Sequence, residues 1–213
     1  MPKVDYALMY VTDDSIRDDN NFFTILEGAL KGGATIIQLR EKTCDTLVFY
    51  KRALRCKELC STHGIPLIIN DRLDIALAID ADGVHIGQTD MPYDVARRLL
   101  GNSKIIGLSV SNKKQAEHQD AQAADYIGIS PIFSTNTKAT DLARPLGLLG
   151  LKEIRALYSK PIVCIGGIHK NNTKEIIENG ADGIAVVSAI SKAANPEAAT
   201  KELKDIICKT GTN

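Results

Sequence analysis

The chain has 213 residues, which is enough for one compact domain with a substantial core. Its 26 basic and 26 acidic residues give a formal net charge of zero, and aromatic residues make up only 5%, with no Trp. These values argue against nucleic acid and an anionic membrane surface as partners, because both attract positive charge and bases also stack on aromatic rings. We therefore predict one globular domain over residues 1–213, with no nucleic-acid or membrane partner.

Cysteine usage and the N-terminal residues predict the compartment. The five cysteines cannot all pair, and the segment from Met1 to Tyr6 lacks the basic start and apolar run of a secretory signal. Cys56 and Cys60 stand four positions apart and could bind one metal ion together, but the chain has no second pair of cysteines at such a spacing. We therefore expect both to be ordinary thiols. No apolar run reaches the roughly 18 to 20 residues that cross a bilayer. We expect a soluble protein of the cytoplasm.

Short apolar runs alternate with longer amphipathic segments along the whole chain, which is typical of βα units. The predicted strands are 8–12, 35–40, 67–70, 83–86, 105–109, 126–129, 162–165 and 183–187. The predicted helices are 22–30, 46–63, 92–100, 113–123, 148–158, 173–179 and 196–208. An Ala-Asp turn recurs before three strands, at 81–82, 124–125 and 181–182. Eight units predict a (β/α)8 TIM barrel, and an open doubly wound sheet is the alternative.

Active sites of such barrels lie at the carboxyl ends of the strands, so polar residues there are candidates. Gln38, Arg40 and Lys42 stand two positions apart at the end of the second strand and just after it. Because side chains alternate along a strand, the three would share one face, which brings two cations and an amide together. The alternative for this segment is a strand end with solvated charges.

The third and fourth strands each deliver one carboxylate to the same rim. Asp71 and Asp90 suit Mg²⁺, which takes one or two protein carboxylates and completes its shell with water and phosphate oxygens. Each aspartate could instead cap a helix. His85 lies within the apolar fourth strand, where we expect a hydrogen-bonded core histidine.

The fifth strand ends at Ser109, and the sixth is followed by a hydroxyl-rich segment with Thr135, Thr137 and Lys138. These side chains could donate hydrogen bonds to a phosphate, or belong to a solvated connection. Residues 130–145 form the longest stretch without a helical or strand pattern, which is typical of binding loops and lids.

The last two strands end in features that favour phosphate binding. Gly166 and Gly167 follow the seventh strand, and Val187 and Ser188 end the eighth. Barrels frequently bind phosphate there, because glycine allows close approach of the backbone and a short helix directs N–H groups at the anion. The sequence therefore predicts two anion sites and two phosphorylated substrates. No arrangement typical of covalent catalysis accompanies them.

The motifs as a set resemble the thiamine-phosphate synthase family, also named thiamine-phosphate pyrophosphorylases. The matching stretches are 33–42, 69–72, 82–92, 131–133 with 135–138, 165–168 and 186–190. They follow one another in order over nearly the whole chain. One departure is Ser130 and Ser134, where the family usually has Gly and Pro around a shared Pro-Ile-Phe.

The resemblance implies a transferase that joins 4-amino-5-hydroxymethyl-2-methylpyrimidine diphosphate to 4-methyl-5-(2-phosphoethyl)thiazole, giving thiamine monophosphate and diphosphate. A carboxylated thiazole is an open alternative, and Mg²⁺ would be the cofactor, held by Asp71 and Asp90. The residues expected to act in catalysis are Arg40, Lys42, Ser109 and Lys138. The implied binding set is Gln38, Leu39, Arg40, Glu41, Lys42, Asn70, Ser109, Thr135, Asn136, Thr137, Lys138, Gly167, Val187 and Ser188. Diphosphate would leave first, producing a pyrimidine methylene cation that the thiazole nitrogen captures.

Two other functions stay open at this point. A thiazole tautomerase-like paralogue would share the barrel and one phosphate site, but would lack the full diphosphate-binding set. A non-catalytic sensor of phosphorylated thiamine precursors would need ligands for only one metabolite. The partners expected are therefore small-molecule substrates, and a homo-oligomer is left open.

Overall fold

The computed structural model describes residues 4–135 and 144–211. Eight parallel strands hydrogen-bond in sequence order into a closed barrel. The strands are β1 (Leu8–Val11), β2 (Ile36–Leu39), β3 (Leu67–Asn70), β4 (Gly83–Ile86), β5 (Ile105–Val110), β6 (Tyr126–Ile129), β7 (Ile162–Ile165) and β8 (Gly183–Val186). The TIM-barrel prediction is confirmed.

Closure of the sheet is visible at β1, which pairs with β2 on one side and with β8 on the other. Met9 lies opposite Ile36 in the first pairing and opposite Ala185 in the second. An open doubly wound sheet would leave two strand edges unpaired, so that alternative is wrong. Because every strand runs in the same direction, all eight carboxyl ends meet at one rim.

Helices surround the barrel, one or more after each strand. Their bounds are α1 (Asp19–Lys31), α2 (Thr46–Thr62), α3 (Leu73–Ala78), α4 (Tyr93–Leu100), α5 (Lys113–Glu117), α6 (Gln119–Ala123), α7 (Gly147–Arg155), α8 (Lys170–Glu178), α9 (Ser188–Ser191) and α10 (Pro196–Thr210). All seven predicted helical segments are present, and α3 and α9 were missed. With six and four residues, these two are too short to show a 3.6-residue period.

The predicted helix 113–123 is two helices. His118 lies between them in an extended conformation, with φ −64° and ψ 144°. Its ring nitrogen Nδ1 accepts a hydrogen bond from the amide of Asp120 and so caps α6. The periodicity continues across this break, which is why the sequence indicated one helix.

Two apolar layers follow from the two-residue alternation of the strands. The outward residues pack against the helices in one large cluster that includes Leu39 and Ile69. The inward residues form a smaller cluster inside the barrel, with Met9, Ile68 and Tyr126 among its members. Neighbouring positions on one strand therefore face different environments.

The recurring Ala-Asp turn has a structural role that is the same in each copy. The aspartate carboxylate accepts a hydrogen bond of 2.8 Å from an amide of the preceding strand, in the pairs Asp82 with Leu67, Asp125 with Ile106 and Asp182 with Ile162. The same oxygen pairs with a cation from the helix before that strand, in the order Lys57, Arg97 and Arg155. Each copy thus joins one helix and two strands at the amino-terminal end of the barrel.

The structure also bears on the cysteines and on membrane insertion. None of the five cysteines, all of which lie in the described ranges, forms a disulfide. Cys56 and Cys60 are both fully buried on α2, where burial raises the pKa of each thiol. Within residues 4–135 and 144–211, no helix combines the length and apolarity that a bilayer crossing requires.

The close approach of β5 to β4 should require glycine at position 83. A Cβ at Gly83 would lie 2.1 Å from the carbonyl oxygen of Ile105, a backbone atom that cannot move without shifting β5. We expect Gly83→Ala to lower the free energy of unfolding by about 3 kcal/mol, measured by urea denaturation. In the matched control, Gly211→Ala, the nearest atom is 3.6 Å away and the change should stay within about 0.5 kcal/mol. Equal losses in both variants would contradict the prediction.

Candidate active site

The carboxyl ends of the strands surround a cavity of about 390 Å³. Eight of the predicted site residues line it: Gln38, Arg40, Asn70, Ser109, Thr135, Gly167, Val187 and Ser188. His85, which was predicted as a core residue, lines it as well. This cavity therefore lies at the strand ends where these predicted residues meet, as expected for a barrel of this kind.

The end of β2 supplies a cation and an amide to the cavity. Gln38 and Arg40 point inward, and the Arg40 guanidinium forms an ion pair of 2.8 Å with Asp14, which follows β1. Leu39 points the other way and packs in the helix-side cluster. A contribution of Leu39 to ligand binding can therefore come only from its backbone.

Glu41 also points away from the cavity, so a direct side-chain contact with substrate, as the binding set implied, is not supported by its orientation. Its carboxylate is fully buried and pairs closely with Arg52 of α2, which is 5% exposed. The Arg52 guanidinium also bonds the carboxylate of Asp19 and the carbonyl oxygens of Ile16 and Arg17. This buried cation fixes the loops after β1 and β2 to one another and holds the backbone between Arg40 and Lys42.

Two carboxylates and a lysine meet at the ends of β3 and β4. Lys42 Nζ pairs closely with Asp71, and Asp90 accepts a hydrogen bond of 2.7 Å from the amide of Gly87. Burial raises the pKa of Asp90; the Gly87 amide opposes this shift, and the adjacent Asp71 carboxyl reinforces it. The two aspartates are thus close enough to repel each other, and their repulsion favours a cation between them.

The donor set at this point fits Mg²⁺ better than a metal that needs an all-protein cage. Among the residues described, no cluster of three or more His, Cys, Asp or Glu side chains could hold a metal. Two carboxylates leave most of an octahedral shell to water and ligand oxygens, which is the usual habit of Mg²⁺. Asp71 also adopts φ 61°, an uncommon left-handed conformation that directs its side chain from the end of β3.

The floor of the cavity is polar on the side of β4 to β6. His85 is buried and hydrogen-bonded on both ring nitrogens, to the Tyr126 hydroxyl and to Ser109 Oγ, each at 2.9 Å. The prediction of a hydrogen-bonded histidine is confirmed, with the addition that the ring lines the cavity. Gln88 donates a hydrogen bond of 2.7 Å to the carbonyl oxygen of Ser109 and so fixes the end of β5.

The glycine turn after β7 is packed against the loop after β6. Gly166 and Gly167 have φ values of 106° and 65°, which favour glycine. A Cβ at Gly167 would lie 2.6 Å from the carbonyl oxygen of Ser134. Asn172 of α8 donates a 2.9 Å hydrogen bond to the carbonyl oxygen of Gly167, which fixes the turn from the other side.

The end of β8 leads directly into the short helix α9, which begins at Ser188. First-turn amides of a helix have no acceptor within the helix, so those near Val187 and Ser188 are available to an anion. Ser191 at the other end donates a 2.9 Å hydrogen bond to the buried carboxylate of Asp13. Burial alone raises the pKa of Asp13, but hydrogen bonds from Ser15 and Ser191 outweigh it and hold the pKa below its ordinary value.

Some predicted residues fall outside this description, and some relevant residues were not predicted. Asn136, Thr137 and Lys138 lie outside the described residues, as does half of the predicted binding loop 130–145. Asp13 and Asp14 were missed although they follow β1, where the strand-end rule that found Asp71 applies equally. Tyr126 was not predicted because it is the first residue of β6, whereas the search covered residues at the carboxyl ends of strands. Its ring lies beside Gly107 of the neighbouring strand β5.

Comparisons with known proteins show which family the chain is similar to. A family model described as thiamine monophosphate synthase matches residues 8–190. Thiamine-phosphate synthases from Methanobrevibacter smithii and Clostridium novyi are 48% and 46% identical over 203 residues, which cover 95% of this chain and 96% and 99% of theirs. The solved thiamine phosphate pyrophosphorylase from Pyrococcus furiosus has a TM-score of 0.88 and 36% identity, with 98% of both chains covered. The chain belongs to the thiamine monophosphate synthase family.

Proposed function

We propose that this transferase joins the pyrimidine diphosphate and the thiazole phosphate named above into thiamine monophosphate, with release of diphosphate. The observation that carries the proposal is the arrangement of the rim. Two cations and two carboxylates lie at the ends of β2 to β4, and a glycine turn with a short helix lies at the ends of β7 and β8. This arrangement supports two anion sites of different chemistry at one barrel mouth, as a reaction of two phosphorylated substrates needs.

The diphosphate is assigned to the side of β2 to β4. Arg40 offers a planar guanidinium and Lys42 a flexible ammonium, the two cation types that proteins use for phosphate oxygens. Asp71 and Asp90 would hold Mg²⁺, which when bound would neutralise charge on the diphosphate oxygens. Asn70 and Ser109 follow on the neighbouring strands and would contact the pyrimidine substrate. Lys138, outside the described residues, would add a third cation.

The thiazole phosphate is assigned to the ends of β7 and β8. Gly167 lines the cavity and has no side chain to cover its backbone, and Ser188, where α9 begins, lines the same cavity. Amides at the start of a helix are suited to bind an anion. Thr135 lines the cavity next to them. A monophosphate monoester needs no metal at such a site, because backbone donors supply the hydrogen bonds.

The residues present support a dissociative substitution. The bond between the pyrimidine methylene carbon and the diphosphate oxygen breaks, and its electron pair leaves with the diphosphate. Arg40 and Lys42 stabilise the negative charge that grows on the leaving oxygens. The thiazole ring nitrogen then donates its lone pair to the methylene carbon, forming the new bond. No enzyme nucleophile is required in this reaction.

Direct assay of both substrates with Mg²⁺ tests the proposal. We expect thiamine monophosphate and diphosphate to form in equal amounts. A tautomerase-like paralogue would instead isomerise the thiazole phosphate without releasing diphosphate. A sensor would bind one ligand and produce nothing. Either of these results would overturn the proposed reaction.

Loss of the Asp71 charge should impair catalysis strongly. We expect Asp71→Asn to lower the rate of diphosphate release about 100-fold or more, because stabilisation of leaving-group charge is usually a large catalytic term. Calorimetry should also show that the variant binds Mg²⁺ more weakly than the parent protein in the presence of inorganic pyrophosphate. Full activity in this variant would remove Asp71 from the metal site.

Asp80→Asn is the matched control. Asp80 has φ 50°, so both aspartates adopt the left-handed backbone conformation. Asn has the same shape as Asp and also tolerates this conformation, so neither substitution should strain the backbone. Asp80 lies at the other end of the barrel, is 86% exposed and pairs with Lys104. The rate of this variant should stay within about twofold of the parent protein, since exposed ion pairs contribute little.

A methyl group on the glycine turn should weaken thiazole phosphate binding. We expect Gly167→Ala to raise the KM for the thiazole phosphate about tenfold, because the new Cβ would press on Ser134 and restrict access to the backbone. Gly64→Ala is the control: its φ of 66° matches the 65° of Gly167, but no atom lies within 4 Å of the new Cβ. An unchanged KM in Gly167→Ala, or equal changes in both variants, would contradict the assignment.

A further inference from the structure

A line of hydrogen-bonded side chains crosses the cavity floor and joins β6, β4 and β5. His85 on β4 bridges the Tyr126 hydroxyl through Nδ1 and Ser109 Oγ through Nε2, with 2.9 Å at each contact. The line therefore runs from Tyr126 through His85 to Ser109. The Gln38 amide opposes the rise that burial causes in the pKa of the Tyr126 phenol.

The barrel interior is shaped to hold the two rings. A Cβ at Gly107 would lie 2.1 Å from Cζ of Tyr126, and a Cβ at Gly128 would lie 2.8 Å from Cε1 of His85. Glycine at these two inward positions gives the rings the space they occupy. Tyr126 is fully buried and His85 nearly so, which limits both rings to the observed orientation.

The donors in this line have a definite direction. Burial raises the pKa of Tyr126 well above its ordinary value, so the phenol keeps its proton. Tyr126 is fully buried, and a buried phenol hydrogen without an acceptor would be costly. His85 Nδ1 lies 2.9 Å from the Tyr126 oxygen and can accept that hydrogen, so the phenol donates to Nδ1.

We propose that Tyr126 fixes His85 as the Nε2–H tautomer, and that this tautomer makes the Ser109 hydroxyl a hydrogen-bond donor into the cavity. A neutral imidazole that accepts at Nδ1 donates from Nε2. Ser109 Oγ accepts that hydrogen, so its own hydrogen is turned toward the substrate. His85 and Tyr126 are positioning residues in this arrangement, and they act through Ser109. The inference rests on the proposed function only in the step that brings Ser109 into contact with the pyrimidine diphosphate.

The tautomer is measurable without substrate. In the parent protein labelled with ¹⁵N-histidine, long-range proton–nitrogen correlations distinguish Nδ1–H, Nε2–H and imidazolium forms, and His85→Gln identifies the signal among the four histidines. We expect His85 to be neutral with the proton on Nε2. In Tyr126→Phe, which lacks the donor to Nδ1, a fraction with the proton on Nδ1 should appear. An Nδ1–H or imidazolium signal in the parent protein would overturn the proposal.

Kinetics then separate positioning from general stability. Tyr126→Phe should lower kcat about tenfold, the equivalent of one hydrogen bond, with KM for the thiazole phosphate unchanged. In the Ser109→Ala background the same substitution should change kcat by less than about twofold, because the hydroxyl that it orients is gone. Equal losses in both backgrounds would show that Tyr126 supports the barrel rather than Ser109, and would reject the relay.

Tyr158→Phe is the matched control for removing a buried phenol oxygen. The Tyr158 hydroxyl is buried and makes no hydrogen bond to the described residues, and it lies after α7, away from the cavity. This variant should keep kcat within about twofold. The proposed function and the proposed positioning by Tyr126 and His85 fail in different ways. If the parent protein forms no thiamine monophosphate, the proposed function is rejected, and the tautomer measurement still decides the positioning proposal. If the parent protein is active but the effects of Tyr126→Phe and Ser109→Ala on kcat add, only the positioning proposal is rejected.

Discussion

Closure of the parallel sheet between β1 and β8 is the constraint on which the site depends. It fixes which residue of each strand faces inward, because one step along a strand reverses the direction of the side chain. Arg40 faces the cavity, whereas Glu41 faces the helices and is clamped by Arg52. A buried ion pair of this kind adds little net stability, but it is costly to break, so it holds the chain in one register. The charges at the rim thereby acquire fixed positions.

Arg40 and Lys42, two cations of the described part of the rim, are each oriented by a carboxylate from a neighbouring strand end. Asp14 directs Arg40, and Asp71 directs Lys42. A diphosphate that binds here must share or exchange these partners, so binding selects for a ligand with several negative oxygens. A single carboxylate ligand would gain less than the ion pairs it displaces. Under the proposed function, this competition would favour the diphosphate on this side of the barrel and the monophosphate on the other.

The sequence predicted the barrel well, because each buried strand is a short apolar run bounded by polar or glycine residues. The bounds of β3, β4, β6 and β7 agree with the structure to the residue. Predictions were weaker wherever three-dimensional contacts decide the outcome. The Glu41 side chain turns to Arg52, a residue eleven positions along the chain on α2, and no local pattern indicates that contact. Tyr126 reaches the floor only because Gly107 leaves room for its ring.

The proposed chemistry explains why so much of the site is devoted to orientation. When a leaving group departs before the new bond forms, the enzyme gains rate from dipoles and charges that already point at the developing charge. A hydroxyl that could rotate would weaken this effect, because it would have to reorient as the charge develops. The His85 contact removes that freedom from Ser109, as the Asp14 contact does for Arg40. Buried polar groups whose partners are fixed in this way exchange some stability of the barrel for a defined electrostatic field at its mouth.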